Sequence, residues 1–228
     1  MKKSAAVAVF VKTPGFSPVK TRLSASLGID EAEAFYRLSV QAMVEILRDV
    51  QSRAVANQWD AYWAVAEAAP ECHSQWHDFP VIPQGDGELG QRLAAIYSRL
   101  LQDYQQVVLV GGDCPQLSAQ VFEEAQRLAR DGSFVLGPAR DGGFYLLLGQ
   151  TALPPGFWES IPYSVGHTME TLVMKLMDLG HSVRFLPHLS DVDQVADLAV
   201  LGVELSRLGQ RTRHQEKICD WLRQKSYG

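Results

Sequence analysis

The sequence predicts an α/β protein: a three-layer α/β/α sandwich around a sheet that is mixed but mostly parallel. Short strand-like apolar runs alternate along the chain with longer segments of helical periodicity, as in sheets that helices cover on both faces. Two late apolar runs, joined by Asp141-Gly142-Gly143, have the form of a hairpin and predict one antiparallel pairing. With 228 residues, 46% of them hydrophobic, and no linker or internal repeat, residues 1–228 are expected to form a single domain.

The elements of the first half follow from local patterns. Residues 5–11 are apolar almost throughout, which predicts a strand buried on both faces. A helix is expected to open near Asp30, whose side chain can cap it while Glu33 reaches back in a capping box. Further strands are predicted over residues 61–66 and 107–112, with a helix over residues 89–101 between them.

The second half continues this alternation. The runs "SFVLGPA" and "GFYLLLG" predict the two strands of the hairpin. A helix over residues 168–179 is expected to end at Gly180, and a strand in "SVRFLP" and further helices follow it. Ligands of such sheets gather at the carboxyl ends of the strands, so the segments that follow residues 5–11 and 107–112 are the first candidates for a site.

The composition excludes several classes of function. A formal net charge of -5 argues against a nucleic-acid partner, which normally requires an extended basic face. The three cysteines are far apart and odd in number, as in reduced proteins without a disulfide framework. The start "MKKSAAVAVFV" is interpreted as a strand rather than a signal peptide, and no apolar run is long enough to span a bilayer. We expect a cytoplasmic protein without a membrane span, and its oligomeric state is open.

A basic loop, "VKTPGFSPVKTR", follows the first predicted strand. It is not a Walker A loop, because Gly15 lies one residue too close to the lysine that such a loop requires. Cations at the mouth of a parallel sheet can neutralise a diphosphate and stabilise a leaving group, whereas the alternative is a solvated basic loop. We predict Lys12, Thr13, Lys20 and Arg22 as phosphate-binding residues, with Lys20 also acting in catalysis.

Acidic residues follow the strand at residues 107–112 and recur later in the chain. Asp113, in "GGDCP", occupies a glycine-flanked turn where a carboxylate can bind Mg²⁺ or Mn²⁺, although a turn aspartate bonded to its own backbone is the alternative. Asp141, in "GPARDGGFYLL", is a further acidic candidate for the site, and its alternative role is that of a hairpin-turn residue. Asp191 and Asp193, in "DVDQVADL", form another acidic pair, and Asp193 is expected to cap the next helix as well. We predict Asp113 and Asp193 as metal ligands.

Two further segments carry candidate residues. The glycines of "PQGDGELGQRL" let the chain approach a base or sugar, which makes Gln84, Gly85, Gly90 and Arg92 candidates for nucleotide binding. A flexible loop with a helix cap is the alternative there. His167, at the start of a predicted helix, is a candidate acid, base or phosphate donor, although an isolated histidine in such a place is more often structural.

Taken in order, "KTPGFSPVKTRL", "QGDGELGQRL", "GGDCP", "GPARDGGFYLL" and "DVDQVADL" resemble a bacterial glycosyltransferase-like family, some of whose members are associated with arsenosugar biosynthesis. That family belongs to the nucleotide-diphospho-sugar transferase superfamily, whose fold is called GT-A. The resemblance implies a nucleotide site at the carboxyl ends of the early strands, with Asp113 in the metal position. It also implies that Asp141 faces the sugar or acceptor, and Asp141 is the candidate base. We predict Gly142, Gly143 and His167 as further substrate or acceptor residues.

The same motif order also resembles molybdenum-cofactor and phospholactate guanylyltransferases, which transfer a nucleotidyl group from a nucleoside triphosphate. Two departures limit both resemblances. The metal motif reads Gly111-Gly112-Asp113 instead of Asp-x-Asp, and the basic loop is rich in proline rather than glycine. Three hypotheses follow: a metal-assisted sugar transferase acting on a small-molecule acceptor, a nucleotidyltransferase that releases pyrophosphate, and an inactive nucleotide-binding protein.

Overall fold

A computed structural model describes residues 2–53 and 59–225 of the chain. Strands and helices alternate, as the sequence predicts. The strands are β1 (Lys3–Val11), β2 (Trp59–Val65), β3 (Val81–Pro83), β4 (Tyr104–Gly111), β5 (Phe134–Pro138), β6 (Phe144–Gly149) and β7 (Val183–Phe185). The α-helices are α1 (Thr21–Leu27), α2 (Ile29–Arg53), α3 (Pro70–His73), α4 (Leu89–Asp103), α5 (Ala119–Leu128), α6 (Thr168–Asp178), α7 (Val195–Ser206) and α8 (Arg213–Gln224).

The strands form one sheet in the order β3-β2-β1-β4-β6-β5-β7. β4 lies at its centre, and β1 beside it pairs in parallel with β2 and β4, with Val7 opposite both Ala61 and Val108. β6 runs antiparallel to its neighbours β4 and β5, while β7 is parallel to β5. The expected mixed, mostly parallel sheet and its late hairpin are therefore confirmed.

Helices cover both faces of the sheet and make the three layers. On one face, α2 and α5 pack against β1, β2 and β4, and on the other face α4 and α6 pack against the same sheet. A third apolar cluster joins α1, α2, α7 and α8 outside the first of these layers. The strands between the helical layers are apolar because water reaches neither of their faces.

Several local expectations were wrong in detail. α2 begins at Ile29, so Asp30 lies in its first turn instead of capping it, and Glu33 pairs with Arg37 one turn later. α1 and α5 were not predicted. α1 begins at the end of the segment interpreted as a basic loop, because Lys20 turns the chain through a left-handed conformation, with φ of 46°, into the helix.

The predicted N-cap of α7 was also wrong. Gln194 occupies the N-cap position, and the Asp197 side chain accepts hydrogen bonds from the backbone N–H groups of Asp193 and Gln194. The Asp193 carboxylate is thereby left to face the basic loop. Within the described residues, no helix combines the length and the apolar character needed to cross a membrane.

Candidate functional site

A cavity of about 570 Å³ opens at the carboxyl ends of β1 and β4. Its wall includes residues from the basic loop, from the segment before α4 and from the turn after β4. Of the predicted site residues, the cavity brings together Lys12, Lys20, Arg22, Gln84, Arg92, Asp113 and Asp193. Four of these seven are cations, although the chain as a whole carries a net negative charge. The wall therefore favours an anionic ligand.

Lys20 lies between the two carboxylates that the sequence assigned to a metal. Its Nζ is 2.6 Å from Asp113 Oδ2 and 3.7 Å from Asp193 Oδ1, and its side chain is only 5% exposed. Arg22 Nη1 approaches the other oxygen of Asp193 at 3.2 Å. The left-handed backbone of Lys20 is unusual for a residue with a side chain, and such strain concentrates at functional sites.

The electrostatics of this triad are dominated by the ion pairs. Burial lowers the pKa of Lys20, but the charges of Asp113 and Asp193 outweigh it and raise that pKa to about 12. Burial raises the pKa of Asp113, and the Lys20 ammonium reverses this and holds it below its usual range. Lys20 and Asp113 are therefore both charged at neutral pH.

The start of the basic loop is held by side chains from three other segments of the chain: Tyr36, Glu67 and Trp76. The Tyr36 hydroxyl, on α2, accepts a hydrogen bond from Lys12 N at 3.0 Å and donates one to Lys12 O at 3.1 Å. Glu67, just after β2, accepts bonds from Thr13 N at 3.0 Å and Thr13 Oγ1 at 2.8 Å. Trp76 Nε1 donates a hydrogen bond to Thr13 Oγ1 at 3.0 Å. Thr13 is fully buried by these contacts and lies outside the wall of the cavity.

The segment before α4 forms the opposite wall. Gln84 is buried there, and its Nε2 donates to Ala64 O at 2.7 Å. Arg92 Nε donates to Gly87 O at 2.8 Å, which directs the guanidinium along the loop. Gly90 has a packing role, because a Cβ atom there would lie 2.7 Å from the carbonyl oxygen of Trp158. Gly85 makes a turn with φ of +83° and does not line the cavity.

A second cavity of about 260 Å³ adjoins the first, and Phe10 and Leu89 line both. Asp141, Gly143 and Asp191 are among its lining residues. Asp141 Oδ1 accepts a hydrogen bond from Gly143 N at 2.8 Å, as a hairpin-turn aspartate does.

The second cavity brings two carboxyl groups together. Asp141 and Asp191 both line it, and their side chains lie close enough to influence each other's charge. Burial first, and then the charges of Asp141 and Asp113, raise the pKa of Asp191 to about 7. Because Asp191 interacts with Asp113 and Lys20 as well, the acidic end of the second cavity faces the first cavity.

Two of the predicted acceptor residues lie outside both cavities. A Cβ atom at Gly142 would come 1.9 Å from the carbonyl oxygen of Gly166, so this glycine permits a close approach of two loops. His167 is exposed at the N-cap position of α6 and makes no capping bond with its side chain. These two residues therefore do not line the cavity that Asp141 and Gly143 share.

Three residues of the site were not predicted from the sequence: Asp191, Tyr36 and Glu67. Asp191 was noticed beside Asp193 but was not predicted as a site residue, although "SDVD" is a visible acidic signal. Tyr36 and Glu67 carry no local signal, because each acts on a loop that lies 24 or 54 residues away in the sequence. Across the described ranges, no three histidine, cysteine, aspartate or glutamate side chains are grouped so as to hold a metal ion.

Solved structures of other proteins share this fold. Over 99% of its length the chain is similar to 98% of a provisionally assigned nucleotide-diphospho-sugar transferase from Desulfovibrio desulfuricans G20, with 26% identity and a TM-score of 0.85. It is similar over 98% of its length to all of a CMP:2-keto-3-deoxy-manno-octonic acid synthetase in complex with CTP, with 15% identity and a TM-score of 0.54.

A cytidylyltransferase from Leptospira borgpetersenii serovar Hardjo-bovis (strain JB197) is also similar, with 11% identity and a TM-score of 0.54 over 98% of this chain and 95% of that chain. The last two likenesses show the fold alone. Together with the Desulfovibrio structure, they confirm an α/β fold of the nucleotide-diphospho-sugar transferase type, as the motifs imply.

Sequence comparison adds the family. None of the curated protein sequences matches the chain. The model of one family matches residues 47–165, which is just over half of the chain and includes "QGDGELGQRL", "GGDCP" and "GPARDGGFYLL". The chain therefore belongs to the family described as uncharacterized protein conserved in bacteria (DUF2064).

Proposed function

We propose that this protein transfers a sugar from a nucleotide-diphospho-sugar donor to a small-molecule acceptor. One observation carries the proposal: four cations, Lys12, Lys20, Arg22 and Arg92, line a cavity at the carboxyl ends of parallel strands. That edge is where such sheets bind ligands, and clustered Lys and Arg suit a diphosphate. The likeness to the Desulfovibrio protein, provisionally assigned to this activity, supports the same conclusion.

The arrangement of the two cavities suits a transfer between two substrates. The donor diphosphate would lie in the first cavity, where Lys20 and Arg22 stabilise the negative charge that develops on the leaving group. The acceptor would lie in the second cavity with its nucleophile near Asp141, which we propose as the general base. Gly143 N–H and Asp191 hold the Asp141 carboxylate in place.

A divalent cation fits this site with help from the donor. Asp113 and Asp193 offer carboxylate oxygens, and Mg²⁺ typically uses one or two carboxylates together with phosphate oxygens. We propose these two residues as the protein ligands of Mg²⁺ or Mn²⁺, whose charge would help to neutralise the diphosphate. In the protein alone, Lys20 provides the positive charge between the two carboxylates. The narrower resemblance to the arsenosugar-associated family and the cytoplasmic location both stay predictions.

A thermal-shift screen of nucleoside diphosphates, nucleoside triphosphates and nucleotide sugars, with and without Mg²⁺ or Mn²⁺, tests the donor site. A ligand at about 100 times its Kd stabilises the folded state by about 2.7 kcal/mol, which corresponds to roughly 5–10 °C for a chain of this size. Arg22→Ala removes an exposed cation of the cavity and should weaken nucleotide binding by about tenfold. Arg130→Ala, an exposed change outside the cavity wall, is the matched control and should bind as the unaltered protein does.

Nucleotidyl transfer is the second candidate, because a cavity of about 570 Å³ lined by four cations accommodates a triphosphate as well as a diphosphate sugar. The products separate the two reactions: sugar transfer releases a nucleoside diphosphate, whereas nucleotidyl transfer releases pyrophosphate. Binding without either product would support an inactive nucleotide-binding protein. If no nucleotide stabilises the protein, or if the Arg22 variant binds normally, the proposed donor site is wrong.

A further inference from the structure

The second cavity has a chemistry of its own that bears on the acceptor. We infer that it binds a small, uncharged compound with an apolar body and a hydroxyl group, and that this compound is the acceptor in the proposed transfer. The inference rests on the proposed function, since it names the class of the second substrate. The second cavity, at about 260 Å³, has less than half the volume of the first at about 570 Å³, so the compound is smaller than the donor.

The wall of the second cavity is mostly apolar. Leu93, Leu109, Val110, Phe144 and Val165 are among its lining residues. None of the described residues that line it is a lysine, arginine or histidine. The first cavity differs in this respect, because cations occupy its wall. A phosphorylated or otherwise anionic acceptor would meet two carboxylates in the second cavity and no compensating charge.

Two of the polar side chains in the wall already have partners within the protein. The Thr168 hydroxyl donates a hydrogen bond to Pro162 O at 2.7 Å, and the Tyr145 hydroxyl donates one to Pro187 O at 2.9 Å. A compound with many hydroxyl groups, such as a free sugar, would lose its hydrogen bonds to water and find few replacements here. The wall therefore disfavours polyhydroxylated acceptors.

The polar groups that remain suit one hydroxyl. Asp141 and Asp191 form the acidic end, next to Asp113 and Lys20 of the first cavity. Lys20 is paired with Asp113 and Asp193 of the first cavity, and its charge also acts on Asp191, so an ammonium compound bound at the acidic end would be repelled by that cation. A hydroxyl group can instead donate its hydrogen bond to a carboxylate at no cost in charge repulsion.

The wall also contains an unsatisfied polar atom. In the described part of the chain, the buried Tyr163 hydroxyl has no hydrogen-bond partner. Its neighbour Ser164 has φ of 60°, one of two left-handed residues other than glycine in the described ranges. Buried polar groups without partners and strained residues both concentrate where ligands bind. Both residues line the second cavity.

The reaction balances with such an acceptor. The hydroxyl oxygen forms a bond to the anomeric carbon of the donor sugar, and its proton passes to Asp141. The bond between the anomeric carbon and the diphosphate oxygen breaks, and its electron pair leaves with the nucleoside diphosphate. No oxidant, reductant or third substrate is required.

Four probes built on one ring test the inference: cyclohexanol, myo-inositol, cyclohexyl phosphate and cyclohexylammonium. Ligand-observed NMR titrations with the full chain would give their dissociation constants. Cyclohexanol is expected to bind at least about fivefold more tightly than each of the others, which corresponds to about 1 kcal/mol. Equal or tighter binding of myo-inositol, the phosphate or the ammonium compound would overturn the inference, as would an absence of binding by all four.

A positive charge added at the rim of the cavity locates the binding. Val165 is 39% exposed and lines the second cavity, so Val165→Lys adds a cation without disturbing the core. This variant should bind cyclohexyl phosphate about two- to fivefold more tightly than the unaltered protein does. Val203→Lys, at a 49% exposed position on α7, should change nothing.

The thermal-shift screen with nucleotides distinguishes a failure of the proposed function from a failure of the inference about the acceptor. If nucleotides stabilise the protein but the cyclohexanol preference is absent, only the inference about the acceptor fails. If nucleotides do not stabilise it, the proposed function fails whatever the four ring compounds do. An unchanged affinity of Val165→Lys for cyclohexyl phosphate would show that the probes bind elsewhere and would also overturn the inference.

Discussion

At the scale of single residues, Lys20 is the group that connects the basic loop to the acidic turn after β4. The backbone of Lys20 has a left-handed conformation where the loop ends, and its ammonium group lies between Asp113 and Asp193. Both carboxylates repel each other when this cation is absent, because each is partly shielded from water. Lys20 therefore has a structural role in the protein without ligand, in addition to the proposed contact with a diphosphate.

The first prediction concerns this ion pair. Lys20→Met removes the cation but keeps an apolar side chain of similar length, and it should lower the free energy of unfolding by about 1–3 kcal/mol. The value is below that of a fully buried pair because the Asp113 side chain is 38% exposed. Urea denaturation at neutral pH measures it.

Two further variants interpret the result. Lys20→Met combined with Asp113→Asn removes both charges of the shorter ion pair and should be less destabilised than Lys20→Met alone, since Asp113 is no longer left without its cation and Asp193 keeps Arg22. Lys175→Met is a matched change on α6 and should lower the free energy of unfolding only slightly. A double variant that is as unstable as the sum of its single variants would show that the two side chains do not interact.

At the scale of elements, the meeting of β1 and β4 shapes the floor of the first cavity. Gly112 follows β4, and its N–H donates a hydrogen bond to Phe10 O at 3.0 Å. A Cβ atom at Gly112 would lie 2.6 Å from Val11 Cγ1, which is closer than two carbon atoms can approach. The glycine before Asp113 thus allows the two strands to end side by side, and this brings Asp113 close to the basic loop.

The second prediction follows from that close approach. Gly112→Ala should lower the free energy of unfolding by about 1–3 kcal/mol, because β1 and the turn after β4 must move apart. It should also weaken nucleotide binding, which the thermal-shift screen measures. A double variant with Val11→Ala makes room for the new methyl group and should recover part of the stability. Gly209→Ala, where a Cβ atom would meet nothing within 4 Å, is the control.

These elements also show what local sequence can predict. The strand at β1 and the hairpin of β5 and β6 were predicted because their apolar runs and turn residues are contiguous. α1 was missed because "SPVKTR" contains a proline and four polar residues, which together are typical of a loop. The cap of α7 was assigned to Asp193 instead of Gln194 because aspartate is the better cap in isolation. Its carboxylate faces Lys20 and Arg22 instead, a contact across 171 or more residues.

At the scale of the whole molecule, the site depends on packing between distant parts of the chain. The motif order was sufficient to predict the fold type and to nominate residues that line one cavity, because each motif follows a strand of one sheet. The partners that hold those motifs could not be predicted in the same way. Tyr36 comes from a helix whose own sequence indicates only that one face is apolar, and Glu67 comes from the segment after β2.

α8 is the clearest case of such a distant partner. It packs with α1, α2 and α7 in the third apolar cluster, and its Gln215 is 1% exposed. Gln215 Nε2 donates hydrogen bonds to Pro115 O at 2.7 Å and to Leu117 O at 2.8 Å. Those two carbonyl groups belong to the segment that directly follows Asp113, so the C-terminal helix fixes the turn that carries this carboxylate.

The third prediction tests this long-range support. Gln215→Ala leaves both carbonyl groups without their partner and should lower the free energy of unfolding by about 1–3 kcal/mol. Because the turn after β4 is then held less firmly, nucleotide affinity should fall as well, although Gln215 lies outside the cavity wall. Gln224→Ala, at an exposed position on the same helix, should alter neither quantity. Nucleotide affinity measured well below the unfolding temperature separates the two effects. A variant that is less stable but binds nucleotides normally would show that α8 stabilises the fold without positioning Asp113.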